Sequence, residues 1–354
     1  MQQGKFFAAW DAGQAMVTLK QIASAVGVSS ATVSRVLNFD ETLSVTAQTR
    51  AAIIETAEAL NYATPRNRNR DPAATTATRV ALVHFLAPDQ ELADPYYVSL
   101  RLGIESRCAQ HKLETVKIYH TDAPPDPKVL KATSGVIAIG RQEDQDVAWL
   151  KQHSRHLVFA DHMPSDEEID CVHADRSLAM RKLLKALTEM GLRRIGFVGW
   201  WDHVQDGRKT QWEERGLTYM HWMQDHAQFD PALCLFDSNT EQSGYTLTKQ
   251  ILALPHRPDA IVAGNDNMAV GAYRAIHESG LNIPEDIAVA SFNDISVARF
   301  LNPPLSTVRL PSEEIGESAV DMLLERIAGR VTAKRAILAS RIIWRGSTRP
   351  LRAE

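Results

Sequence analysis

The chain has 354 residues, of which 44% are hydrophobic and 23% charged, and its formal charge is −4. That length suits two or three domains with a sizeable core, and so mild a charge does not by itself predict a nucleic-acid partner. Its three cysteines, Cys108, Cys171 and Cys234, are widely spaced without a CxxC pair, which speaks against a disulfide framework or a zinc site and fits reduced thiols in the cytoplasm. No apolar run is long enough for a membrane span. The opening MQQGKFFAAWDAGQAM lacks a basic region followed by an apolar core, so residues 1–16 read as a disordered extension.

The charge is unevenly placed. Between Val17 and Val80, Lys20 and six arginines face only Asp40, Glu41, Glu55, Glu58 and Asp71, and Arg66, Arg68 and Arg70 form a local basic focus. Thr18-Leu-Lys-Gln21 spells a capping box, in which the Thr hydroxyl accepts from the third amide of the helix and Gln21 reaches back. Leu19, Ile22, Ala23 and Val26 follow at helical spacing, and Gly27 stops the helix. Ser29 can cap a second helix from Ser30 to about Leu37. A third is predicted from about Ala47 to Leu60, with Ile53, Ala57 and Leu60 on one face. Residues 17–63 therefore read as a small three-helix bundle. Residues 64–78, with two prolines and no apolar period, read as a linker.

From Arg79 apolar strands alternate with helices. Strands are predicted at RVALVHFL, GVIAIG, HLVFAD, RRIGFVGW, DAIVAG and DIAVASF. Helices are predicted at Tyr97–His111, Ser177–Met190, Gln211–Asp225 and Asn267–Ser279. This alternation predicts doubly wound parallel sheets, and the number of units suggests two of them over residues 79–348, with 349–354 as a tail.

Around the second helix, at about 100° per residue, Ser30, Ala31, Ser34 and Arg35 share one face, while Val33, Val36 and Leu37 face Leu19, Ile22 and Val26. The polar face has the residue types that approach base edges: Ala touches a thymine methyl, Ser takes either hydrogen-bonding role, and Arg holds guanine bidentately. Thr18 and Ser29 sit at helix N-termini, which favour phosphate. The bland alternative is a solvated bundle. The run VTLKQIASAVGVSSATVSRVLN…VTAQTRAAIIETAEALNY, however, closely resembles the helix-turn-helix headpiece of the lactose/galactose repressor family. The resemblance places Ser30, Ala31 and Arg35 at base-reading positions and Thr18, Ser29, Thr32, Ser34 and Asn38 at backbone-contacting ones.

In open α/β sheets ligands bind beyond the carboxyl ends of strands. Here those ends lead to Asp161, to Trp200 and Trp201, to Asn265 and Asp266, to Asn293 and Asp294, and to the loop Asp94-Pro-Tyr96-Tyr97. Carboxylates, carboxamides and aromatic rings suit a neutral polyhydroxylated ligand, which takes paired hydrogen bonds and stacks an apolar face on a ring. Plainer readings stand beside this: Asp266 as a helix N-cap, Asn293-Asp294 as an ordinary turn, Trp200 and Trp201 as lid or interface residues, and Trp212 and Trp222 as buried residues of a helix.

AGNDNMAVGAYRAIHESGLNIPEDIAVASFNDI and NPPLSTVRLPSEEIG extend the resemblance to the family's periplasmic-binding-protein-like effector domain. It implies that Asn265 and Arg215 contact a sugar, the latter in Arg215-Gly-Leu-Thr218-Tyr219 with Thr where the family has Gly. It also implies that Asp161 is the acidic residue after the third strand, and that Asn293 stands where the family usually has Asp. The DPYY, SFND and RFLNPPLSTVR segments look most like members that govern β-galactosidase operons, which implies a galactoside or related sugar. The family's function is operator binding by a homodimer altered by that sugar, most often as repression. The leucine heptads that make tetramers of some relatives are absent, and no cofactor or metal is expected. A periplasmic solute-binding protein would need a signal peptide and no headpiece. A glycosidase would need an acid/base pair such as Asp161 and Asp266 at a fixed separation. In place of the family's leucine-bearing hinge helix stands Ala63-Thr-Pro-Arg-Asn-Arg-Asn-Arg-Asp-Pro72, without a side chain to wedge between base steps. It reads as a basic arm of Arg66, Arg68 and Arg70.

Overall fold

The computed structural model describes residues 18–37, 43, 45–59, 79–119, 126–203 and 210–349. The chain divides into two compact units, Met1–Thr76 and Ala77–Glu354.

The first unit contains α1 (Leu19–Val26), α2 (Ser30–Leu37) and α3 (Ala47–Ala59). Only half of the predicted capping box forms. Gln21 Oε1 accepts from the Thr18 amide at 2.6 Å, but the Thr18 hydroxyl donates to the same oxygen at 3.0 Å. The Gln21 amide turns instead to the Thr18 carbonyl, at 3.0 Å. Gly27, at φ +74°, adopts the left-handed conformation that ends α1. Ser29 Oγ accepts from Thr32 N at 3.0 Å and so starts α2, and Thr46 Oγ1 does the same for α3 through Thr49 N at 3.1 Å. Ile22, Ala23, Val33, Val36, Ile53 and Ala57 form the buried core. Leu60, expected on the apolar face of α3, lies outside the described residues, as do residues 1–17 and 60–78.

The second unit has two lobes. In the first, β1 (Arg79–His84), α4 (Pro88–Leu92), α5 (Pro95–Gln110), β2 (Glu114–Ile118), α6 (Pro127–Lys131), β3 (Gly135–Ile139), α7 (Asp144–His153), β4 (Leu157–Ala160) and β5 (Asp170–Ala174) follow in order. The chain then crosses to the second lobe. There it forms α8 (Arg176–Glu189), β6 (Ile195–His203), β7 (Thr210–Trp212), α9 (Glu214–Asp225), β8 (Cys234–Asp237), α10 (Glu241–Leu252), β9 (Ala260–Ala263), α11 (Asp266–Glu278), β10 (Ala288–Phe292) and β11 (Ser306–Arg309). It returns for α12 (Ser312–Ile327) and β12 (Arg335–Leu338), and crosses a last time to β13 (Arg341–Ile343).

The first sheet runs β12-β5-β4-β3-β1-β2, all parallel. The second runs β13-β11-β10-β9-β6-β7 with β8 beside β6, and its β13 and β7 are antiparallel to their neighbours. The central strands β1, β3, β9 and β10 are apolar throughout or nearly so and buried on both faces, as parallel sheets require. Helix α12 packs on the first lobe because glycines let backbones meet. A Cβ on Gly103 of α5 would strike the Glu313 carbonyl, and one on Gly316 of α12 the Leu100 carbonyl.

The six predicted strands are present. The helix predicted from Gln211 is not formed at its start: residues 210–212 belong to β7, paired with β6 so that Trp201 lies opposite Trp212, and α9 begins at Glu214. Trp212 is therefore a strand residue rather than a helical one.

Candidate functional site

In the first unit Ala31 and Arg35 are exposed on α2, Ser30, Thr32 and Ser34 are half-buried, and Thr18 and Ser29 are exposed at the two helix starts. Val33 and Val36 on the other face are buried. The polar face predicted from helical spacing thus lies on the side of α2 away from the buried Val33 and Val36. The hydroxyls of Ser29 and Thr32 lie 2.8 Å apart, so both belong to the N-cap. Asn38, Arg66, Arg68 and Arg70 lie outside the described residues.

In the second unit, residues from the carboxyl ends of strands in both lobes meet. Arg141, after β3, pairs with Asp202 on β6 at 2.9 Å, and Asn267 of α11 donates to the Ala93 carbonyl at 3.0 Å. Asp161 follows β4 at φ +65°, which turns its side chain inward. Its Oδ1 accepts the Tyr96 hydroxyl at 2.9 Å and its Oδ2 the Tyr97 hydroxyl at 3.1 Å. Arg176, at the first turn of α8, pairs with the same carboxylate and stands 3.8 Å from Glu214. Burial, reinforced by the Asp161 charge, pushes both phenols well above their ordinary pKa, so they stay protonated donors.

Across the cleft, Glu213 caps α9. It accepts from the Arg215 amide at 2.9 Å and from Arg215 Nε at 2.9 Å. The Arg215 guanidinium lies over Trp200, 4.6 Å from the ring centroid, and 5.4 Å from that of Phe292. Burial raises the pKa of Glu213, against the pull of Arg215 and Arg176. Asp94 caps α5 by accepting from Tyr96 N at 3.1 Å. Burial raises its pKa too, partly offset by that amide and by the Arg215 charge.

Asn265, rather than Asp266, is the N-cap of α11: its Oδ1 accepts from Met268 N at 2.8 Å, and its Nδ2 donates to the Asn239 carbonyl at 3.2 Å. Asp266 is the first helical residue and is wholly buried. It accepts from Ser291, from Thr307 at 2.8 Å and from the Ile295 amide at 2.8 Å. Burial pushes its carboxyl up to about 7. With Asp161 already occupied by three donors and Asp266 sealed beneath β10 and β11, the two form no acid/base pair for glycoside hydrolysis.

Asn293 is half-buried at φ +108°, and Asp294 is more than a turn residue. Its buried carboxylate is held by Arg309 Nε at 2.7 Å and by Arg345 at 2.6 Å, either side of two crossovers. Of the two tryptophans it is Trp200 that lies against Arg215. Neighbouring strand residues face opposite ways, and the Trp201 ring packs on Phe236, 5.0 Å between centroids. Trp222 is half-buried and stacked on His226 at 4.3 Å.

The structure therefore joins Tyr96, Tyr97 and Asp161 directly, sets Arg215 on Trp200, places Asn265 and Asn293 at neighbouring strand ends, and turns Trp201 aside. Sequence reasoning missed Arg176 and Glu213 as members of the cluster, and named Asp94 only as part of the loop before Tyr96. The first two are charged residues that flank helix starts, the one signal that could have drawn attention to them. Among the described residues no group of three or more His, Cys, Asp or Glu is gathered to hold a metal ion, and no helix is long and apolar enough to cross a membrane.

A helix-turn-helix unit joined to a two-lobed binding unit with a polar cleft defines a ligand-responsive DNA-binding regulator. Residues 18–65 match "Bacterial regulatory proteins, lacI family", and residues 184–348 match "Periplasmic binding protein-like domain". The chain is 34% identical over 340 residues to the HTH-type transcriptional repressor MelR of Bacillus subtilis (strain 168), covering 94% of this chain and 97% of that one. It is 60% identical over 108 residues to the Lactose operon repressor of Rhizobium radiobacter, covering 30% of this chain and 96% of that one. The solved CelR–cellobiose complex matches in fold at a TM-score of 0.66 with 24% identity, over 94% of this chain and 99% of that one. The chain belongs to the lacI family of bacterial regulatory proteins. It is a transcriptional regulator that binds DNA, not an enzyme.

Proposed function

We propose that this regulator is a cytoplasmic homodimer that represses a sugar-utilisation operon, and that a small galactoside-like sugar bound between the lobes alters its operator affinity. The observation that carries the sugar reading is a pair of polar clusters at the strand ends: Tyr96 and Tyr97 hydrogen-bonded to Asp161 in one lobe, and Arg215 over the Trp200 ring in the other, near enough for the Arg215 charge to act on Tyr96. A relative named as a lactose operon repressor supports the class of ligand. Asn265 and Asn293 complete the proposed set. On the DNA side, Ser30, Ala31 and Arg35 read bases, and Thr18, Ser29, Thr32, Ser34 and Asn38 hold the backbone. The proposed domains are the headpiece at 17–63, the linker at 64–78 and the effector domain at 79–348.

A ligand shifts operator binding only by its different affinity for two forms of the protein. A thermal-shift screen of sugars, followed by operator release, is the test. A sugar at 100 times its Kd raises stability by about 2.7 kcal/mol, and Arg215→Ala is expected to abolish that rise and the release while operator binding without sugar persists. A screen in which no mono- or disaccharide moves the transition would defeat the reading.

A further inference from the structure

A carboxylate offers two oxygens and about four lone pairs. In Asp161, Oδ1 takes the Tyr96 hydroxyl and an Arg176 N–H, Oδ2 takes the Tyr97 hydroxyl, and the side chain has 0% solvent exposure. A carboxylate that its place after β4 put in the candidate sugar site is thus already occupied. Arg176 stands one residue beyond the crossover, where Asp175 caps α8 by accepting from Leu178 N at 2.6 Å. Its side chain is 16% exposed, reaches back to Asp161 in the first lobe, and lies near Glu214 in the second. A buried carboxylate without a counter-charge is costly, and Arg176 is the cation paired with it.

We infer that Arg176 and Asp161 are a positioning pair of the effector site. Arg176 supplies the counter-charge, Asp161 takes both tyrosine protons, and the phenol oxygens are left to the ligand as acceptors only, so the site selects ligands that donate hydroxyl protons there. Each phenol has one proton to give, and both are spent on Asp161. The opposite wall complements this. Arg215 uses its Nε on Glu213, and guanidinium nitrogens only donate. An acceptor wall in one lobe and a donor wall in the other fit a ligand whose hydroxyls do both. The inference rests on the sugar reading of the cleft.

The test uses the full chain with Arg176→Met, Arg176→Lys, Asp161→Asn and the Asp161→Asn/Arg176→Met double variant. Two readouts are taken: the tyrosine ring doublet in difference Raman spectra without ligand, which reports whether phenols donate, and titration with lactose and methyl β-galactoside. In Arg176→Met the carboxyl must take a proton or turn outward. The donor signature of two tyrosines should fade, and affinity for the tighter sugar should fall about tenfold or more. Arg176→Lys should restore both, to within about threefold in affinity. The double variant should bind no worse than Asp161→Asn alone. In a series replacing each sugar hydroxyl by fluorine, which cannot donate, the position facing Tyr97 should lose affinity.

An unchanged tyrosine spectrum in Arg176→Met, or an Arg176→Lys variant that melts normally yet behaves like Arg176→Met, overturns the positioning pair. Equal affinity across the fluorinated series overturns the acceptor assignment. If neither sugar binds the unmodified protein at any tested concentration, the galactoside reading fails, and the ligand-free tyrosine spectrum still decides the pair.

Discussion

In the headpiece the residues proposed to read bases stand on one helix between Ser30 and Arg35, and Ala31 and Arg35 are exposed. In the effector unit the residues proposed to meet a sugar come from separate segments between Tyr96 and Asn293. Asp161, Arg215 and Asn265 are buried, and each is already held by protein partners. DNA presents its own charge and edges to an exposed helix, so the headpiece needs only a small core to hold that helix. A small ligand must be surrounded by groups whose directions are fixed beforehand, and the cost of burying those groups is offset by pairing them with each other. Positioning is thus local in one unit and distributed in the other, and substitutions should divide along the same line.

The largest separation is expected from Ile53→Ala. Ile53 is fully buried with Ile22, Ala23, Val33, Val36 and Ala57 in the headpiece core, and losing it should cost about 2–5 kcal/mol, enough to unfold a unit this small under conditions where it now folds. Calorimetry should show the headpiece transition lost and the effector transition in place. A single shared transition that shifts as one would break the comparison.

Acid should act on the other unit. His84 is buried at 3% exposure, and desolvation lowers its pKa to about 4, with Arg101 adding to the effect and Glu91 opposing it. Desolvation also lowers His162 to about 4. A base whose folded pKa lies below its unfolded value binds fewer protons when folded. Its contribution is therefore complete above about pH 6.5 and is lost as the pH falls toward 4. For His84 that is about 3 kcal/mol at most, and less for half-buried His162. Asp266 acts oppositely: with its carboxyl raised to about 7, it destabilises as pH rises from about 4 to 7, so the sum is smaller than the histidines alone would give. No histidine lies between residues 18 and 59. Melting from pH 7 to 4.5 should therefore lower the effector transition more steeply than that of the headpiece, and His84→Asn should flatten the slope. An unaltered slope in that variant would remove His84 from the account.

The same contrast explains what the sequence disclosed. The headpiece was legible nearly to the residue, because caps, a stop glycine and a helical period act within a few positions. Of the effector unit, the apolar central strands β1, β3, β4, β6, β9 and β10 were legible, since burial on both faces leaves an unbroken apolar run. Strands β2 and β8, half-buried or exposed along their length, carry no such run, and β7 looked like a helix start because its pairing with β6 is a tertiary fact. The site was legible where a residue follows a visible strand, as Asp161 and Trp200 do. Arg176 follows β5, which was not identified, and Glu213 matters through Arg215 and its burial, which no local pattern encodes. The cap was read at Asp266 rather than at Asn265 because either residue type suits the position, and the buried Ser291 and Thr307 hydroxyls with the Ile295 amide draw Asp266 away from it.

A smaller effect should sharpen the headpiece side. Arg35→Ala leaves the bundle core untouched and should cost about 1–3 kcal/mol on the cognate operator while relaxing preference at one base pair. Competition binding over a library of single-base operator variants measures both. A uniform loss across every sequence would assign Arg35 to phosphate instead.

The smallest effect concerns residues 63–72, which lie outside the described residues and for which the sequence alone speaks. Arg66, Arg68 and Arg70 alternate with Asn67 and Asn69, and Pro72 disfavours helix at Asp71. Guanidinium groups at that spacing neutralise phosphate or enter a narrow minor groove, and no Leu, Ile, Met or Phe is present to wedge between base steps. The arm is therefore expected to contribute a salt-sensitive term with little sequence preference and little bending. Replacing all three arginines with Ala should flatten the slope of log K against log[salt] by up to about 3 per protomer, near one for each phosphate no longer neutralised. Affinity at high salt should change least, because ion release favours binding only weakly there. An unaltered slope would make the segment a plain tether. Strong operator bending by the unmodified protein would show that some other side chain opens the base step, and the contrast between a locally built DNA reader and a distributed sugar site would then need a third, jointly built element.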